Sequence, residues 1–509
     1  MPAIRVFANR SRSIFMSSAK RISGCIPFTF ILLGLLTGCA VGPDFKRPAT
    51  PDTSTYTATP LPPQTSSVPT PLGEAQHFVP GGWVNPQWWQ ELGSAKLNAL
   101  IDEALQASPT LAKSQAVLRQ AQELYAAQAG STLYPQVDAT LGSQRQRTTP
   151  SSLGQVGDPR EFSLYNAGVG ARYTLDLAGA TRRSLEALAA NIDYQRYQLE
   201  GARLTLAGNI AAATVTQAML AGQIQATEAI LHSQEEQLGL TRERVRLGHA
   251  APDDVLALQT LVEQTRAGIP LLRNQLQQNE HLLAVLAGRE PGAGSLPCFS
   301  LQEFTLPADL PLTVPSELVR NRPDIQAAEA LLHTANAEYG VAIAKLYPQL
   351  TLSATLGSQA LTTGTLFGSG SAVWSLVTQL TQPLFNPGLP AEKRAALAAF
   401  DAAAANYRNV VLEALRNVAD VLRALGNDAQ RLAALAAADA AAQESLASMQ
   451  RQYSLGAAGY IQLLTAQQQA QQTRISLIEA QARRLADSVA LYQAMGGGRT
   501  NDGEEPVGK

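Results

Sequence analysis

The chain has 509 residues and a formal net charge of −2; residues 1–38 hold Arg5, Arg10, Arg12, Lys20 and Arg21 and no acid, which leaves −7 for the rest. An acidic body of that kind lacks the basic face that nucleic-acid binding requires. Aromatics are only 6% of residues, and Ala, Leu, Gln, Glu and Arg fill the long middle stretches, the composition of long helices rather than of a compact mixed core.

The five leading positive charges precede an apolar stretch of about 11 residues, Ile26 to Leu36. That is the length of a signal h-region and falls short of the roughly 20 residues a membrane helix needs. Leu36-Thr37-Gly38-Cys39 follows at once and resembles a lipobox. Processing there makes Cys39 the first mature residue, with a diacylglycerol on sulfur and an acyl chain on the new amine. Two or more chains anchor stably where one is marginal. Ala40 stands where Asp would favour inner-membrane retention, so outer-membrane delivery is expected. Cys25 lies in the leader, so Cys298 has no partner for an intramolecular disulfide. Residues 39–94 read as a lipidated extended linker, and the Pro-, Thr- and Ser-rich part from Arg47 to Pro80 is predicted to be uncored.

Beyond the linker the chain is written twice. Tyr134-Pro135-Gln136-Val137 recurs as Tyr347-Pro348-Gln349-Leu350, Leu141-Gly142-Ser143-Gln144 as Leu356-Gly357-Ser358-Gln359, and Arg246-Leu247-Gly248 as Ser454-Leu455-Gly456. The offsets of 213, 215 and 208 residues define modules, 95–288 and 317–495, joined by a connector at 289–316 and followed by a tail at 496–509. Each copy opens with a helix, Ser108 to Ser131 and then Pro323 to Leu346. A strand pair comes next, with period-two alternation at Val137 to Gly142, Ala167 to Asp176, Leu350 to Gly357 and, more weakly, Trp374 to Leu384. Arg145 to Glu161 and Ala360 to Ser371 read as the intervening loops.

Very long helical patterns end each copy. Leu185, Ile192, Leu199, Leu206, Ala213 and Leu220 fall at seven-residue steps, as do Val255, Val262, Ile269, Leu276 and Leu283, and in the second copy Leu397, Ala404, Val411, Val418 and Leu425. Such a repeat coils against a neighbour. Leu247 to Pro252, with Asp253 and Asp254 placed to cap, and Leu455 to Gly459 read as interruptions of these helices.

Four strands per chain cannot close a sheet, and open edges cannot lie in lipid. Three chains pooling theirs reach 12, an acceptable even number for an outer-membrane barrel. The fold class expected is therefore mainly α with a β-barrel part: a duplicated chain whose trimer forms a 12-stranded barrel continued by a long periplasmic α-helical barrel.

Gly42-Pro43-Asp44-Phe45-Lys46-Arg47-Pro48 after the cysteine, then Trp88-Trp89 and Leu97, together with the paired Tyr-Pro-Gln motifs and Leu-Gly breaks, resemble the OprM/NodT lipoprotein branch of the TolC-like outer-membrane efflux family. The resemblance covers residues 39–495. It implies a homotrimeric passive duct carrying small molecules outward, with a periplasmic adaptor (membrane fusion) protein and an inner-membrane RND-type pump as partners. A protein-secretion outlet and a periplasmic coiled-coil scaffold are the competing readings.

No enzyme site assembles in the sequence. His77, His232, His249, His281 and His333 are scattered without metal-ligand spacing, and no Gly-rich phosphate loop or cofactor motif is present. The helix turns farthest from the barrel are expected near Leu220-Ala221-Gly222 and Leu425-Gly426-Asn427, as adaptor contacts by resemblance, or as simple glycine caps. Arg416 to Arg423 resembles the family segment whose aspartate lines the closed periplasmic aperture. Asp420 is the matching position; three copies form an acidic ring, whereas local pairing with Arg416 and Arg423 gives only surface ion pairs.

Overall fold

The computed structural model describes residues 40–150, 154, 156–294 and 296–498; Cys39 and the leader lie outside the described residues. The duplication is plain in the element lengths. The first half runs α1 (Ala95–Ala107), α2 (Pro109–Leu133), β2 (Gln136–Thr148), β3 (Arg160–Leu175), α3 (Ala180–Arg246) and α4 (Pro252–Leu286). The second runs α5 (Pro315–Asn321), α6 (Pro323–Ala344), β5 (Gln349–Ala360), β6 (Ala372–Thr381), α7 (Gly388–Ser454) and α8 (Tyr460–Ala494). Each half thus ends in a helix of 67 residues followed by one of 35. At 1.5 Å per residue these span roughly 100 Å and 50 Å. Two short strands, β1 (His77–Pro80) and β4 (Asp309–Leu312), pair in parallel beside them.

The strands form one antiparallel sheet in the order β2-β3-β5-β6, so the first hairpin pairs with the second and β2 and β6 lie at the margins. Strands β2 and β3 reach well into the segment expected as a loop from Arg145 to Glu161; pairing continues to Thr148↔Arg160, so the loop begins only after Thr148. The register is unbroken. Val137, Ala171, Ala354 and Leu376 fall in one row across the sheet, and Ala139, Val169, Leu356 and Trp374 in the next. One face is therefore mainly apolar, interrupted by Thr378 and Ser358. The other carries Asp138, Thr140, Gly168, Gly170, Arg172, Ser353, Thr355 and Gln379.

Glycine shapes this second face. A Cβ on Gly357 would sit 2.4 Å from the Ala167 carbonyl oxygen, and one on Gly168 2.9 Å from that of Leu356. Only Gly allows the strands to fold so tightly there. The polar face is concave, cupping a cavity of about 390 Å³ between Asp138, Arg172, Ser353 and Val373.

Both 67-residue helices start at the sheet, pass through a waist and end at a distal hairpin. Helices α4 and α8 return from the hairpin to the waist. The main hydrophobic core lies there: Trp88, Leu97 and Ile101 pack with Leu206 and Ile210 of α3, Val418, Leu422 and Leu425 of α7, Leu485, Val489 and Tyr492 of α8, and Phe304 and Leu310 of the connector. The Trp88 ring stacks on Tyr492 at 5.3 Å. One window of α3 is long and apolar enough to cross a membrane, but 61% of it is buried inside the chain. Its apolarity serves the core.

Candidate functional site

The distal hairpins lie where the sequence suggested mere interruptions. At the first, the His249 N–H donates to Arg244 O and the Gly248 N–H to Val245 O; at the second, Ala457 donates to Gln452 O and Gly456 to Tyr453 O. This is the Schellman pattern, and it needs a left-handed residue, supplied by Gly248 (φ 78°) and Gly456 (φ 74°). The Asp254 carboxylate accepts from the Ala251 N–H to start α4, as the cap reading anticipated. Large apolar side chains crowd these ends in the open: Leu240, Leu247 and Leu256 on one hairpin, Leu455 and Ile461 on the other. Behind them Tyr460 packs among Leu238, Leu258, Leu261 and Val262, and the Arg244 guanidinium lies 4.9 Å over the Tyr453 ring.

The expected tips are corrected accordingly. Leu220, Ala221 and Gly222 lie inside α3, and Leu425 and Gly426 inside α7, with no turn at either place. Leu220 and Leu425 are buried, and a Cβ on Gly222 would make only an ordinary contact with Ile478, 3.4 Å from its Cγ2.

Asp420 is likewise not at the distal end. It sits mid-way along α7, 34 residues before Ser454, or roughly 50 Å by helix rise. Its carboxylate is 3.4 Å from Arg416, which also pairs with Glu413 at 2.7 Å, all three exposed. Arg423 donates to Thr59 O at 2.7 Å. Of the two local pairs expected around Asp420, the one with Arg416 is present, while Arg423 turns to the segment at Thr59 instead.

Arg423 marks a larger departure from expectation. The segment predicted as an uncored linker is a strap seated in the waist, with Thr65, Leu72 and Gln76 buried. Arg484 of α8, 1% exposed, holds it. Its guanidinium donates to Leu72 O (3.3 Å), Glu74 O (3.0 Å), Thr65 Oγ1 (3.1 Å) and Gln76 Oε1 (2.9 Å). Gln76 passes the link on to Pro307 O and Ser488 Oγ. The signal was present in the sequence: Leu477, Arg484 and Leu491 fall at seven-residue steps, so a charge occupies a seam position.

Beside Arg484 lies an acidic pair. Burial, then hydrogen bonding to Asp428, pushes the Asp487 carboxyl up to about 7. Asp487 Oδ2 is buried without a hydrogen-bond partner, and Arg483 Nε approaches Asp428 Oδ2 at 3.7 Å. Between about pH 4 and pH 7 the folded form keeps a proton that the unfolded chain has released, so stability falls as pH rises through that window. Asp487→Asn should flatten this slope and leave the protein more stable than wild type at pH 8. Thermal midpoints measured from pH 4 to 8 test it; parallel wild-type and variant curves would refute the assignment.

A second docking site fixes the start of the described chain. Gly42 to Arg47 lies across α3 and α6: Arg183 binds Asp44 (2.7 Å) and Gly42 O, Asn336 donates to Pro43 O, Phe45 stacks on His333 at 4.3 Å, and Arg47 meets Glu329 at 2.6 Å. A Cβ on Gly42 would lie 2.9 Å from Gly340 Cα. Val41 donates to Ala178 O, so residues 40–41 sit just where β3 leaves the sheet.

Among the described residues no cluster of three or more His, Cys, Asp or Glu side chains is placed to hold a metal. A curved sheet, mainly apolar on its convex face and mainly polar on its concave one, is set on paired helices of 67 and 35 residues.

The comparisons agree. The sequence model described as outer membrane efflux protein matches residues 100–289 and 314–497. The solvent efflux pump outer membrane protein SrpC of Pseudomonas putida is 29% identical over 479 residues, 92% of this chain and 97% of SrpC. The pyoverdine export outer membrane protein OpmQ of Pseudomonas putida is 32% identical over 460 residues, 85% of this chain and 94% of OpmQ. The structure of the outer-membrane channel OprN superposes with a TM-score of 0.81 at 26% identity, covering 90% of this chain and 99% of that one. VceC from Vibrio cholerae gives 0.75 at 26% identity, covering 82% and 100%. The chain belongs to the outer membrane efflux protein family. It is an outer-membrane channel component with a TolC-like fold, not an enzyme.

Proposed function

We propose that three copies of this chain pool their sheets into a 12-stranded barrel and their helices into a periplasmic tunnel, forming the passive exit of a tripartite efflux pump for small molecules. The observation that carries this is the sheet: two marginal strands and one mainly apolar face, on the convex side. Backbone at those margins must be paired in lipid, and β6 of one copy against β2 of the next does so with the apolar face outward. A soluble scaffold would leave that face, including Trp374, Leu376 and Leu380, in water. Relatives named for solvent efflux and pyoverdine export favour small-molecule cargo.

A lipid anchor on Cys39 fits this arrangement, because Ala40 adjoins the end of β3 at the barrel rim, the level of the inner leaflet. The energy comes from partners: an inner-membrane RND-type pump, reached through a periplasmic adaptor. The adaptor meets the exposed leucines of the distal hairpins, Leu247 and Leu455 among them, since apolar patches on loop tips mark interaction sites.

The test is reconstitution of the full-length protein extracted from outer membranes. A heat-modifiable trimer that conducts in planar bilayers is expected; a water-soluble monomer without conductance ends the proposal. Leu247→Glu with Leu455→Glu should leave trimer and conductance intact yet abolish resistance to pump substrates in cells. Retained resistance would remove the adaptor from these tips.

A further inference from the structure

The outward face of the barrel does not stop at its apolar band. From Leu175 to Ala167, eight steps or about 27 Å of strand, that face is mainly apolar across the paired strands, with Thr378 and Ser358 its polar members. Tilted by about 40°, the band stands roughly 20 Å tall, close to the height of an outer-membrane barrel's lipid belt. Tyr165 follows on the same face, opposite Ser143, where interfacial aromatics belong. Two further steps up each strand bring Arg145 opposite Ser163 and Arg147 opposite Glu161. Side chains alternate strictly along these strands, so both arginines point outward, away from the concave lumen.

Their local pairing leaves them free to bind something else. One carboxylate serves both: Glu161 lies 3.5 Å from Arg145 and 3.8 Å from Arg147, with the arginine side chains 78% and 64% exposed. Loose exposed pairs of this kind contribute little and are easily exchanged for a better partner. Each copy therefore presents two guanidinium forks and a net charge of +1, just above the hydrocarbon edge of the outer leaflet. The groups at that height are lipid head groups. A guanidinium fork matches a phosphate in two-point geometry, and charge-assisted bonds of this type are the stronger ones.

We propose that Arg145 and Arg147 form a head-group site for the phosphorylated glycolipid of the outer leaflet, one per chain, which fixes the barrel's height and stabilises its outer rim. The proposal rests on the outward-facing trimeric barrel described above. It names the leaflet lipid rather than a free anion in the medium because the two side chains stand on the lipid face, over Tyr165, and not in the lumen.

The experiment uses the full-length trimer in neutral detergent, titrated with diphosphoryl lipid A, with lipid A stripped of its phosphates, and with inorganic phosphate. Binding of diphosphoryl lipid A, read by native mass spectrometry and by thermal shift, is expected. The double variant Arg145→Gln/Arg147→Gln should bind about tenfold more weakly, and binding should weaken with added salt. Arg172→Gln, on the lumen face, should bind as wild type does. Equal binding by the double variant and wild type overturns the site. Equal binding of the stripped lipid shows that only acyl chains are held and overturns it too. A shift produced by inorganic phosphate alone assigns the pair to free anions and likewise overturns it. The trimeric barrel fails separately, in heat-modifiability and conductance of the wild type before any lipid is added.

Discussion

Arg484→Met is expected to cost about 3–5 kcal/mol, because it removes a buried guanidinium and orphans the acceptors that it satisfies. Leu72 O, Glu74 O, Thr65 Oγ1 and Gln76 Oε1 lose their donor in a place water does not reach. Burial already lowers the arginine's pKa, yet its fork geometry matches four oxygens at once. Arg484→Lys should therefore rescue little: an ammonium is a point donor and cannot span both sides of the strap. The readouts are the thermal midpoint of the trimer and limited proteolysis, which should nick the strap between residues 56 and 80 in the variant first. The strap ties α8 to the connector through Gln76, so the waist loosens as one unit. A variant as stable and as protease-resistant as wild type would show the clamp to be incidental.

Leu376→Arg should block assembly in the outer membrane. Leu376 lies in the row of Val137, Ala171 and Ala354, the middle of the apolar band. Arginine at the bilayer midplane costs a barrel about 2–4 kcal/mol per site, and threefold symmetry brings that to about 6–12 kcal/mol, comparable with the whole margin of a typical fold. Gln379→Arg, on the concave face of the same strand, is the control: the trimer should assemble and conduct, with altered ion selectivity. Membrane-extracted trimer yield distinguishes the two. Normal assembly with Leu376→Arg, or loss with Gln379→Arg, would reverse the faces of the sheet.

The two variants divide along the line between what was legible in the sequence and what was not. Period two in Val137 to Gly142 and its counterpart at Leu350 to Gly357 gave the strands and their apolar face, because alternation is a local property. The heptads from Leu185 and Val255 gave the long helices, and the repeated Leu-Gly pairs gave the positions of the breaks. What those breaks do was misjudged. Gly248 and Gly222 look alike in one dimension; only the tertiary structure decides that one carries a left-handed turn and the other lies inside an unbroken helix.

The same holds for the charges. Asp420 drew attention by its flanking arginines and proved to be an exposed member of a local pair, whereas Arg484 drew none and holds the waist. Amino-acid order by itself determined the duplicated plan, the strand faces and the presence of long helices, since each follows from residue periodicity over short range. The third dimension alone decided which end is distal, where the Pro-rich strap seats and which charges are buried. Those depend on pairs such as Gln76 with Ser488, some 400 residues apart, whose meeting no local pattern encodes.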